Sequence, residues 1–493
     1  MSGSMKLSLK LLVDEEKNRV VFAESDKDFV DILLSFLTLP IGTIVRLLGK
    51  KSSLGAMDCL YKSVENLDAR YFQAAACKTM LLRPNNPSRV QCEGLALRVD
   101  DSEPLVYYKC PRKRYNCGFS SVPGARCPCG QVMEVPFVAM NLDGAEGSDG
   151  VFVRGGTSFI VSDDLSVKPV SMGASLALIQ KLGIEDGSVL AKRNVELGAE
   201  EVLSLLKRSL VSKRPLTDLF LQEPDMIDDA ENSLKSIMEV IIQTRVKYRS
   251  TATDSKRIDV KLFLSKESDK VVYAEAREDL VDQLFSFLTF PLGSILKLLD
   301  KHSSLGCIDN LYESVELLSN SYNYMKFKEC SDMLLAPKLA PYFGCDNQLL
   351  DIGEMCPQTT KVCHKSCFGL PSATITCLHG VETKCSYEMN PKFQTSGTGT
   401  GGGFAKEMMT FMVTDEMEVT PLSPISAVSI INKLMVPINS LEEAQASLGE
   451  AEVLNLLRAC LTSSTVLSDV FSPNLLTLLH ERWCGQHPSK SLL

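Results

Sequence analysis

Residues 10 to 67 align with residues 261 to 318 at a constant offset of 251 without a gap, and 32 of these 58 positions carry the same amino acid. A chain that repeats itself this closely builds the same local structure twice, and a function resident in the repeated unit must use residues found in both copies. The correspondence continues beyond that stretch. Thr157 to Asp164 returns as Met409 to Glu416, Leu197 to Leu203 as Leu448 to Leu454, and Leu216 to Phe220 as Leu467 to Phe471. Each copy therefore spans roughly 210 residues, a length at which a unit buries about 70% of its unfolded surface and is expected to fold alone. The period is far beyond the ~20 to 50 residues of a solenoid. The expected organisation is a first repeat domain over 5–222 with a Cys-rich subregion at 105–135, and a linker over 223–257 carrying a helix. A second repeat domain over 258–473, Cys-rich at 345–390, and a tail over 474–493 follow.

Hydrophobic patterning sets the element types. Leu7 to Val13 and Arg19 to Ala23 flank a polar turn and predict a β-hairpin, repeated from Lys261 to Ala274. Asp28 falls in the first turn of an apolar helix, Pro40 suits the first position of the next, and Ser52 or Ser53 is placed to cap a third. The same signals recur at Asp279, Pro291 and Ser303-Ser304. Farther on, Phe159-Ile160-Val161 and Val167 flank an acidic turn, and helices are predicted through Leu176 to Leu182 and Glu200 to Leu210. Strands and helices are segregated rather than alternating, so the predicted fold class is α+β: two similar domains, each a β-hairpin with apolar helices, a Cys-rich insert, then a strand and a helical part. The uncharged run from Ile32 to Val45 is 14 residues long and broken by Pro40, short of the ~20 needed to cross a bilayer. A buried helical hairpin is the expectation there.

A net charge of −9 argues against bulk attraction to nucleic acid or anionic lipid. No apolar segment follows Met1 to Lys6, so no secretory signal is read, and cytosol, with the nucleus as alternative, is the expected compartment. In a reducing compartment the 17 cysteines are expected as thiols or metal thiolates rather than disulfides.

The chemistry concentrates in the middle of each copy. Cys110 and Cys117, then Cys127-Pro128-Cys129-Gly130, form two close thiol pairs on turns that contain Pro and Gly, a pattern able to converge on one tetrahedral zinc. The spacing departs from paired C-x₂-C knuckles, so reduced cysteines and redox chemistry stay open beside zinc. In the second copy Cys363, Cys367, Cys377 and His379 are the corresponding candidates, with Cys356 and His364 competing for the first two positions and Cys345 and Cys385 spare. A cysteine exchanged for histidine at the last position is compatible with zinc and incompatible with a disulfide. A site with four protein ligands is closed and therefore structural.

Other chemistries are weaker. All five histidines lie in the second half, so neither a Ser–His nor a Cys–His pair exists in the first, and no catalytic residue is assigned. Gly397 to Gly403 has no following Gly-Lys-Ser/Thr and reads as a loop. The repeated acids Glu24, Asp28 and Asp31, with Glu275, Asp279 and Asp282, border a strand end and a helix start, where capping and dipole effects explain them. Lys109, Arg112, Lys113, Arg114 and Arg126, interleaved with Tyr107, Tyr108, Tyr115 and Phe119, offer a nucleic-acid reading that the acidic second copy does not share.

Several of these motifs carry a family resemblance. Lys10 to Val13 with Val20 to Glu24, Phe29-Val30-Asp31, Ser35 to Gly42, Cys127 to Gly130, and Val413-Thr414-Asp415 running to Pro421 through Ser426 resemble the plant family called domain of unknown function 674, in two copies. The resemblance implies a plant origin and no established activity. The expectation is a non-enzymatic intracellular protein with structural zinc, acting by binding another macromolecule, a protein foremost. RNA or DNA binding through the basic knuckle, or an enzyme site between the copies, are the alternatives.

Overall fold

A computed structural model describes residues 6–100, 106–112, 117–137, 150–221, 256–268, 270–321, 324–362, 384–393 and 402–471. The predicted linker helix and C-terminal tail fall outside them.

In the first half, β1 (Leu7–Asp14) and β2 (Arg19–Ser25) form the hairpin, followed by α1 (Lys27–Ser35), α2 (Ile41–Leu47), α3 (Met57–Asn66), α4 (Ala75–Leu82) and the single turn α5 (Arg89–Cys92). The insert carries β3 (Tyr107–Lys109), β4 (Phe119–Ser120) and β5 (Val135–Phe137). Then come β6 (Phe159–Ser162), β7 (Val167–Pro169), α6 (Met172–Lys181), β8 (Leu190–Leu197), α7 (Ala199–Val211) and α8 (Pro215–Phe220). The second half runs β9 (Ile258–Ser265), β10 (Lys270–Arg277), α9 (Glu278–Ser286), α10 (Leu292–Leu298), α11 (Ile308–Asn320) and α12 (Lys328–Leu335). It continues through β11 (Thr359–Val362), β12 (Lys384–Tyr387), β13 (Thr410–Thr414), β14 (Val419–Pro421), α13 (Pro424–Lys433), β15 (Leu441–Leu448), α14 (Glu450–Thr462) and α15 (Val466–Val470). The α+β class holds.

Two antiparallel sheets carry the fold, in the orders β7-β6-β2-β1-β8 and β14-β13-β10-β9-β15. Both hairpins break register at the same place: Leu12 faces Phe22 while Val13 faces Val20, and Phe263 faces Tyr273 while Leu264 faces Val271. The extra residue is a bulge that sharpens the local twist. Leu9, Leu11 and Val13 turn inward and are buried, and Leu262 and Leu264 repeat the pattern. The apolar run of residues 32–45 is a buried helix, a short 3₁₀ turn and a second helix, and among the described residues no helix is long and apolar enough to cross a membrane.

Two local expectations need correction. Pro40 is the residue preceding α2, held extended at φ −64° and ψ 145°, rather than its first helical residue. Neither serine caps α3, which starts after Ala56; instead the Ser52 N–H and Oγ both donate to the Asp58 carboxylate, fastening the loop to the helix's first turn.

The halves are interlocked. The Ile41 N–H donates to the Phe290 carbonyl and the Leu292 N–H to the Leu39 carbonyl, both at 3.0 Å, so the two apolar hairpins meet back to back at Pro40 and Pro291. From this crossing each half sends α3 or α11 into the other. Ser63 Oγ on α3 accepts from the Val419 N–H of the second sheet, and Ser314 Oγ on α11 accepts from the Val167 N–H of the first. The Ala56 N–H donates to the Cys460 carbonyl and the Cys307 N–H to the Ser209 carbonyl. One continuous apolar cluster includes buried residues of both halves. That cluster runs across the boundary expected between the copies.

Candidate metal centre

β4, β3 and β5 form a three-stranded sheet in that order. Its own core is aromatic: the Tyr107 ring stands edge-on to Phe119 at 5.2 Å and stacks on Phe137 at 5.6 Å. Lys109 pairs with Phe119 across β3 and β4, so Cys110 just past β3 and Cys117 just before β4 lie at the same end of the two strands. The second thiol pair sits on a knuckle. The Cys127 N–H donates to the Gln131 carbonyl, the Gly130 N–H donates back to the Cys127 carbonyl, and Met133 pairs with Ala125 to close the turn. Gly130 adopts φ +86°, which a side chain would strain, so glycine there is a geometric requirement.

The four sulfur atoms of Cys110, Cys117, Cys127 and Cys129 all lie within 4.8 Å of one another. Cys110 and Cys129 are 3.4 Å apart, and Cys117 and Cys129 3.9 Å. Four thiolates around one zinc at ~2.3 Å place sulfurs about 3.8 Å apart, while a disulfide needs about 2.05 Å. The donor set thus fits a tetrahedral soft-metal ion. Cys110, Cys117 and Cys127 are buried and Cys129 is half-buried.

Backbone amides polarise the set. Hydrogen bonding from the Gln131 N–H, foremost, brings the Cys129 thiol down to about 7, while burial pushes Cys110 up to about 11 and Cys127 higher still. Backbone N–H groups of Arg112 and Cys129 oppose that rise at Cys110 and Cys127 respectively. One thiol is thus ready to ionise at neutral pH, and a divalent cation would favour thiolates at the other three. These amide-to-sulfur bonds are what the sequence reading missed. The knuckle Cys127-Pro128-Cys129-Gly130 is the only local signal for them.

The ribbon of the first half is seated on the second. Phe119 bridges to Glu388, its carbonyl accepting from the Met389 N–H at 2.7 Å, and Ser386 Oγ donates to the Cys117 carbonyl. Gly118 fits because a Cβ there would stand 2.3 Å from the Met389 side chain. Glu388 is buried, accepts from the Gln358 N–H, and receives the Tyr342 hydroxyl on its carbonyl. A metal holding Cys110 to Cys129 would fix the edge that makes these contacts.

Cys363, Cys367, Cys377, His379 and His364 lie outside the described residues, while Cys356 and Cys385 are exposed and Cys345 is buried elsewhere, its thiol on the Asp282 carbonyl. Of the basic set, Arg112 and Arg126 are exposed, the Lys109 ammonium lies 5.7 Å from the Phe137 ring centroid, and Lys113 and Arg114 lie outside the described residues. Tyr107 and Phe119 are buried in the ribbon core and so offer no face for stacking a base. A cavity of about 460 Å³ is lined by Tyr342, Asp346, Gln348, Glu354 and Lys392 among others, all of the second half rather than of a groove between the halves.

Asp31 and Asp282 are not helix caps. Asp31 is buried and accepts the N–H groups of Val151, Phe152 and Val153 at 2.6 to 2.9 Å, and Asp282 accepts those of Phe404 and Ala405. Each fastens a distant loop to its helix, and burial raises both carboxyls.

Fold and site together define an α+β protein with two like-ordered antiparallel sheets and a four-cysteine ribbon able to hold a metal ion. The chain belongs to the family described as protein of unknown function (DUF674), whose sequence pattern matches residues 3–451. No curated protein and no solved structure matches it.

Proposed function

We propose that this is a non-enzymatic interaction protein in which one structural zinc, held by Cys110, Cys117, Cys127 and Cys129, clamps the ribbon of the first half onto the second. The convergence of four sulfurs within 4.8 Å carries the reading. Four protein ligands leave no coordination position for substrate, which separates such a centre from catalytic zinc. Thiolate ligation suits a reducing compartment, cytosol or nucleus. We further read the two halves as copies of one duplicated unit; the 251-residue offset and the reciprocal Ser63 and Ser314 contacts support this.

Hydrogen exchange before and after treatment with a strong chelator tests the clamp. Amides of residues 107–112 and 117–137, and of 384–389 against which they lie, are expected to lose protection together, because the metal's binding energy is local folding energy. Unchanged exchange over both segments contradicts the proposal.

A further inference from the structure

Each five-stranded sheet has one short outer strand and one long one. β8 pairs with β1 alone and β15 with β9 alone, so among the described residues each eight-residue strand offers a free edge of backbone N–H and C=O groups. Long open edges invite another strand, and proteins ordinarily guard them with charge. Here the guards differ in sign. Lys192 lies opposite Leu12 and Glu443 opposite Phe263, positions 251 residues apart, so the two occupy equivalent places on their sheets. β8 presents Lys192-Arg193 where β15 presents Glu442-Glu443, and all four side chains are exposed.

We propose that the chain associates with a second copy of itself head to tail, β8 of one molecule pairing antiparallel with β15 of the next. In the register that sets Lys192 opposite Glu443, Arg193 falls opposite Glu442 and Ala191 opposite Ala444. Because Lys192 and Glu443 share a pleat position, the first ion pair forms on the outer face and the second on the inner face. Two small alanines meet beside them, so nothing bulky holds the strands apart. Pairing β15 with its own copy around Glu443 would instead set like charges opposite, which is destabilising. The present partners are weak rivals: Glu443 with Lys261 at 3.0 Å, Glu442 with Lys266 at 3.9 Å and Arg193 with Glu15 at 3.4 Å are all solvent-exposed pairs. Main-chain hydrogen bonds supply affinity in such strand addition and the charges supply register and choice of partner. A contact between two different surfaces closes into a ring or extends into a chain.

Sedimentation velocity of the full chain over about 1 to 100 µM, the range in which a weak edge pairing titrates, provides the test. The wild type is expected to self-associate, less at high salt. The Lys192→Glu/Arg193→Glu protein and the Glu442→Lys/Glu443→Lys protein are each expected to associate roughly tenfold or more weakly. Mixed in equal amounts, they regain association, because each now carries the edge complementary to the other. Circular dichroism of each variant is expected to match the wild type, because all four substituted side chains are exposed. A wild type that stays monomeric, a reversal at either strand that leaves association unchanged, or a mixture no more associated than its components overturns the proposal.

Discussion

At the residue scale, the cysteines were legible because soft-metal chemistry demands thiols in close pairs, whereas Asp31 and Asp282 were not. Their position at a helix start suggested capping, yet their acceptors are turned to backbone more than 100 residues away, and no local pattern encodes a partner at that distance. Replacing Asp31 by alanine leaves three buried N–H groups unpaired and is expected to cost about 3 kcal/mol or more, read as a shift in urea midpoint. Asp282 makes a pH prediction. Burial raises its carboxyl from an ordinary 3.8 to about 7, so the folded state keeps a proton that the unfolded chain has already lost. Stability from this group is full below about pH 4 and drains as pH climbs towards 7. Asp282→Asn retains an oxygen to accept both N–H groups without titrating. Unfolding curves at intervals between about pH 5 and 8 are expected to fall less steeply with pH in this variant than in the wild type.

At the scale of elements, alternation disclosed the hairpins, and helical spacing disclosed α6 and α7 with their counterparts. β8 and β15 went unassigned because an edge strand with one exposed face has no apolar alternation to show, as Lys192-Arg193-Asn194 and Glu442-Glu443 illustrate. The helix starts were displaced for a related reason: Ser52 spends its hydroxyl on Asp58 rather than on a helix N–H. Close approach between elements was equally hidden. Gly55 and Gly306 have positive φ, and a Cβ on either would stand 2.6 Å from the Cys460 carbonyl oxygen or 2.4 Å from that of Ser209. Gly306→Ala is expected to lower stability by roughly 2 kcal/mol or more, since backbone must move to admit the methyl group. A melting temperature equal to that of the wild type would mean that the crossing of the halves is looser than described.

At the scale of the molecule, the 251-residue offset anticipated that the two hairpins are alike, but not that each half sends a helix onto the other's sheet. Sequence similarity fixes which surfaces are alike and is silent on whether an apolar helix packs on its own sheet or on the neighbour's, because both choices bury the same residues. The shared core predicts a single cooperative unfolding transition, seen as coincident circular dichroism and fluorescence curves. The ribbon adds a second tie between the halves, and on it the account rests most heavily. Elemental analysis of protein purified without chelator measures that tie directly. At least about one zinc per chain is expected, falling by one in the Cys127→Ser/Cys129→Ser variant. Less than ~0.2 zinc per chain, or a content unmoved by the double substitution, would contradict it.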